Sequence, residues 1–140
     1  MKKTKCLAGA LLAGAVILCG VWGFSRHDKP TGIPAATETD REIYLFTQGW
    51  KGEPDPDERT VIVPDAADAV FAPYAALQAQ QGLPVANFAG KAAQVYTYRL
   101  YQSELYAELL CADGELIGAM CYDPAAPEML SIQGKQNAGA

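Results

Sequence analysis

Seven tyrosines and sixteen carboxylates stand against one histidine in this 140-residue chain. The histidine is His27, so nothing beyond residue 37 can form a Ser–His or Cys–His nucleophilic pair or a His-ligated metal site. Ser103 and Ser131 have no evident base, and neither lies on a strand–turn–helix elbow. There is no glycine-rich phosphate loop. Asp55, Asp57 and Glu58 offer oxygens of the type that holds Ca²⁺, but a solvated loop on an acidic protein is the expected reading. Glu108 and Glu115, a possible acid–base pair, carry like charge near a hairpin end and are expected to project into water. Tyr96, Tyr98, Tyr101, Tyr106 and Tyr122 could form an aromatic surface for a glycan or peptide. Ordinary strand packing is the expected reading, because Tyr favours strands, and Tyr101, Tyr106 and Tyr122 are the candidate ligand contacts if such a surface exists. No catalytic residue, cofactor or metal is expected, and the chain does not read as an enzyme.

The elements that must carry these residues begin with a membrane segment. Lys2, Lys3 and Lys5 precede an apolar run of 19 residues, Cys6 to Phe24. As a helix it would span roughly 28 Å, about a bilayer's hydrocarbon core. The leading lysines orient the N-terminus inside and the body outside the cell membrane. A cleaved signal peptide is the alternative, but Val21-Trp22-Gly23-Phe24 is bulky for a cleavage site. A lipoprotein would use Cys19, where Leu18 fits poorly. Ala10 and Gly14, four apart, could let two anchors approach closely. Residues 26–38 read as a flexible spacer and 133–140 as a disordered tail. Residues 1–37 carry five basic and one acidic side chain, net +4, whereas 38–140 carry six and fifteen, net −9. So acidic a body is a poor partner for nucleic acid. Half of the residues are hydrophobic and 19% charged, which suits one globular domain over 39–132.

Within that domain, Thr39 to Glu42 has capping-box spacing and opens a helix over roughly 40–48, with Ile43, Phe46 and Trp50 as its apolar stripe. Gly49 ends it, and Trp50 folds back on Leu45. Lys51–Glu58 reads as a proline-broken loop and Thr60–Val63 as a short strand. A second helix follows Asp65, with Val70, Phe71, Tyr74 and Leu77 on one stripe, a kink at Pro73 and an end at Gly82. Residues 94–102 alternate as a strand. Leu105–Ala112 and Glu115–Tyr122 then flank Asp113-Gly114, a strong hairpin signal. A regular two-residue turn would pair 112 with 115 and 106 with 121. Leu105, Ala107, Leu109, Cys111, Leu116, Gly118 and Met120 would form the core face, and Cys121 would lie on the other face. Cys111 and Cys121 would then be too far apart for a disulfide.

Taken together these landmarks resemble the bacterial domain-of-unknown-function family 4830. They are Gly49-Trp50, Val61-Ile-Val-Pro64, Tyr74…Leu77-Gln78…Gln81-Gly82, Gly90-Lys91, Tyr96-Thr97-Tyr98 and Ile117-Gly118. The resemblance covers roughly 40–132 and departs at Ala119 and Met120, where Gly and Asp would be expected. It implies a small extracytoplasmic domain behind an apolar segment, and no activity. The expected fold is α+β: a transmembrane helix, then two helices on one side of a roughly four-stranded mixed or antiparallel sheet, in the order α-β-α-β-β-β with one right-handed crossover. The expected role is a single-pass, membrane-anchored binding or envelope-associated regulatory module, with an envelope protein or glycan as partner. The alternative is a small hydrolase or transferase using carboxylates and Tyr.

Overall fold

The computed structural model describes residues 32–133; the expected anchor, residues 26–31 of the spacer and the tail from 134 lie outside the described residues. No helix among the described residues is long and apolar enough to cross a membrane. Helix α1 (Glu38–Thr47), strand β1 (Asp57–Ile62), helix α2 (Ala72–Gln80), a short 3₁₀ turn (Val85–Phe88) and strands β2 (Ala92–Arg99), β3 (Tyr106–Ala112), β4 (Glu115–Asp123) and β5 (Ala126–Leu130) follow in order. The α+β class holds. The sheet has five strands in sequence order, each antiparallel to its neighbour. The link from β1 to β2 is therefore not a right-handed crossover. The additional strand is β5, reached through a turn in which the Asp123 carboxylate accepts from the Ala125 N–H.

The helices do not share one side. Tyr44 and Leu45 of α1 pack with Tyr98, Leu109 and Leu116, whereas Phe71, Tyr74 and Ala75 pack with Val95, Leu110 and Ile117. Successive strand residues point to opposite faces, so each helix covers its own face of the sheet.

Local chemistry sets the helix ends. Thr37, not Thr39, caps α1: its hydroxyl accepts from the Asp40 N–H at 3.1 Å, and Asp40 accepts back from the Thr37 N–H. The inward stripe is Arg41, Tyr44 and Leu45, which leaves Ile43 57% and Phe46 79% exposed. Gly49 does adopt a left-handed backbone (φ 88°), and the Trp50 N–H returns to the Leu45 carbonyl at 2.9 Å. Pro73 falls in the first turn of α2, where it has no internal hydrogen bond to break, and so begins that helix rather than kinking it. Val70 lies before α2 and is 91% exposed. The spacer joins the fold from Ile33 onward: Pro34 bridges to Glu115, and the Ala35 N–H donates to the Gly114 carbonyl.

The Asp113-Gly114 turn forms with both residues at positive φ, 52° and 76°, and pairs Ala112 with Glu115. The regular register then fails. Cys111 pairs with Leu116 but Leu110 with Gly118, so Ile117 is an extra, bulged residue. Beyond it every side chain of β4 changes face. Tyr106 meets Tyr122 rather than Cys121, Ala119 and Cys121 enter the α1-side core, and Gly118 and Met120 leave it. Cys111 and Cys121 thus share a face. Both are free thiols, because Cys121 lies opposite Ala107, four residues or roughly 13 Å along the ladder from Cys111.

Candidate binding groove

On the face covered by α2, an open groove of about 560 Å³ runs between the sheet and the segment entering that helix. Its floor is Val95 and Leu110, its side is Val61 and Val63, and Phe71 and Tyr74 overhang it. The two rings stand 5.3 Å apart at 35°. They are held there because the Asp68 carboxylate accepts from the Val70 and Phe71 N–H groups, fixing the approach to α2. Arg59 and Glu108 close the polar end, with Arg59 Nη2 donating to Glu108 Oε2 at 3.5 Å.

Tyr74 owes its position to Gly118. A Cβ on that glycine would fall 2.3 Å from the Tyr74 hydroxyl, so the bulge brings the one residue with room for it beneath the ring. Burial first, then the charge of Glu108, pushes the Tyr74 pKa well above its ordinary value. The hydroxyl keeps its proton and has no hydrogen-bond partner among the described residues. The groove therefore combines an apolar lining, one neutral O–H donor and one ion pair, a composition typical of small-molecule and side-chain sites.

The sequence candidates divide. Tyr106 and Tyr122 meet as a cross-strand pair, rings 5.7 Å apart, on the groove's face beyond Glu108. Burial, followed by the charge of Glu108, raises the Tyr122 pKa. Tyr101 stands apart in the β2–β3 turn, exposed, with the Lys51 ammonium 5.0 Å above its ring. Tyr96 and Tyr98 belong to the opposite face, so the five tyrosines form no single surface. Tyr98 donates to Glu38 and accepts from Arg41 Nε at 3.1 Å, and Tyr96 lies under the Arg41 guanidinium at 3.7 Å. Glu108 opposes Met120 and Glu115 opposes Ala112, so these carboxylates are not brought together. No three Asp, Glu, His or Cys side chains converge on a metal-sized site among the described residues. Ser103 Oγ accepts from the Leu105 N–H, and Ser131 Oγ donates to Gln81.

Sequence reasoning missed Arg59 and Tyr74 as groove residues. Arg59 lies in a stretch where proline masks a strand, and Tyr74 was legible only as part of an apolar stripe. No family model, curated protein or solved structure matches the chain.

Proposed function

We propose that the chain is a single-pass, membrane-anchored module whose extracytoplasmic body binds an apolar group in the groove between β1–β3 and α2. The observation that carries this reading is the groove itself, an apolar trough floored by Val95 and Leu110 and overhung by Phe71 and Tyr74. The run from Cys6 to Phe24 behind three lysines supports the anchor. The landmarks resembling family 4830 support the same arrangement. In this reading the ligand's apolar part displaces water from Val95 and Leu110, its polar end accepts from Tyr74, and Arg59 and Glu108 face its exit.

The test uses methyl-labelled full-length chain in lipid nanodiscs, titrated with para-cresol, an apolar ring bearing one hydroxyl. Methyl resonances of Val61, Val95 and Leu110 should shift while those of Leu45 and Leu109 stay. Tyr74→Phe should weaken binding about fivefold, the loss of one neutral hydrogen bond. Unchanged groove methyls at millimolar probe would overturn the reading.

A further inference from the structure

The geometry points to an extended polypeptide as the groove's occupant, added as a sixth strand along the free edge of β1, with one large apolar side chain in the groove and basic side chains at its ends. This rests on the groove reading above and gives the ligand its class.

Among the described residues β1 is an edge strand, paired only with β2. Val63 sends its N–H across to the Lys91 carbonyl. The alternation of an antiparallel ladder therefore turns the backbone N–H and C=O of Glu58, Thr60 and Ile62 outward. No hydrogen bond among the described residues covers them. The far side of the sheet is treated differently. Where β4 runs beyond β5, the Ala119 N–H donates to Gln78 Oε1 and Gln81 Nε2 donates to the Ala119 carbonyl, both at 2.8 Å. Side-chain amides seal that stretch of β4, and no such side-chain cover lies on β1 among the described residues.

The open row borders the groove, since Arg59, Val61 and Ile62 of β1 line it. Ile62 and Val70, both exposed, flank the mouth with apolar surface. Unpaired strand backbone beside an apolar trough is the arrangement that captures peptides by strand addition, with backbone bonds giving affinity and the trough giving preference. Five residues, roughly 17 Å, cover Glu58 to Ile62. Charge chooses the sequence. Asp57 and Glu58 stand at one end and Asp65 and Asp68 at the other, while Arg59 is matched by Glu108. Basic flanks suit this rim, and a body of net −9 repels a second copy of itself.

The probe is acetyl-Lys-Val-Leu-Val-Lys-amide, with two isomers N-methylated at alternate sets of amides, titrated into the full-length chain in nanodiscs. The parent should slow hydrogen exchange at the Thr60 and Ile62 amides and shift the groove methyls. One isomer should bind about tenfold more weakly and the other like the parent, because only one set of amides faces β1. Thr60→Pro removes an outward N–H and no backbone bond to β2, but it also loses the Thr60 Oγ1 bond to Gln94 Oε1. It is therefore read against Thr60→Ala, relative to which it should weaken the parent by a similar factor. If that variant misfolds, the isomer pair decides alone. Equal binding by both isomers, or groove shifts with para-cresol but none with peptide, would overturn strand addition and leave the groove reading standing. Silence with both probes would remove both. An edge-to-edge dimer protecting the same amides without peptide would overturn the choice of occupant.

Discussion

The two faces of one sheet meet their helices on unequal terms. Under α1 the face is more fully packed, with a smaller hollow of about 310 Å³ beside Ala35, Gln94 and Cys111. Leu45, Trp50, Tyr98 and Leu109 are buried together, and Arg41 spreads over Tyr96. Its guanidinium lies on Tyr96 and donates to Tyr98, the Ala35 carbonyl and Glu38. Burial works against that charge, and the hydrogen bonds with Tyr98 and Glu38 outweigh it, so the Arg41 pKa rises. Under α2 the helix turns Tyr74, Ala75 and Gln78 to the sheet, and the β1 side of the same face stays an open trough. Equal alternation along the strands thus yields one more fully packed and one more deeply grooved surface. The covering residues decide which, since a long arginine fills a face that short alanines leave open.

Leu109 and Leu110, adjacent in β3 and buried on opposite faces, give the largest test. Leu109→Ala leaves a sealed cavity and should cost about 3–4 kcal/mol in urea denaturation. Leu110→Ala only widens a groove already open to water and should cost about 1–2 kcal/mol. Equal losses would mean that the groove is as dry as the opposite face.

Both thiols lie on the α1 face, and burial pushes each up to about 12 from 9.0. A raised folded-state pKa contributes stability that is fully present below the unfolded value, near pH 9, and is lost as pH rises toward 12. Stability should be flat from pH 6 to 8.5 and lower by about 1 kcal/mol per thiol at pH 10. Cys121→Ala should remove about 1 kcal/mol of the fall, one thiol's share, read from denaturant midpoints against pH. Thiol reagents should reach neither cysteine before unfolding. A fast-reacting Cys121 would restore the unbulged register.

That register marks where the sequence stopped being legible. The Asp113-Gly114 turn, Gly49 with Trp50, and the Tyr96–Leu100 alternation are local signals, and each is read by the chain's own sterics. Ile117 is different. Nothing adjacent to it asks for a bulge; the tertiary contact between Gly118 and Tyr74 does, and periodicity carries no trace of it. The groove was illegible for the same reason, since Arg59 sits among prolines and acids that suggest a loop. Thr37 was passed over because Thr39 offers the same spacing two residues later.

Gly118→Ala tests that contact. The new methyl meets the Tyr74 hydroxyl and should cost about 2 kcal/mol while shifting the groove's Val95 and Leu110 resonances. Adding Tyr74→Phe removes the clashing atom, although the ring carbon behind it remains 3.2 Å from the methyl. The double variant should recover at least about 0.5 kcal/mol of the loss. Strict additivity would mean that Tyr74 swings clear and does not define the groove wall.

The smallest effect belongs to the ion pair at the groove's mouth. Arg59 is 61% exposed at its side chain and meets Glu108 at 3.5 Å through one nitrogen. With Arg59 in solvent, the contact at 3.5 Å is screened and pays side-chain entropy, although Glu108 is only 16% exposed. Its coupling should therefore stay below about 0.5 kcal/mol in an Arg59→Ala and Glu108→Gln double-mutant cycle. The Arg41–Glu38 pair on the α1 face is held differently, at 3.0 Å with three further hydrogen bonds to one guanidinium. If stability hardly responds at Arg59 while para-cresol or peptide affinity does, the pair serves the ligand rather than the fold. A coupling above 1 kcal/mol would instead make it a strut between β1 and β3, and the groove's polar end would then be structural.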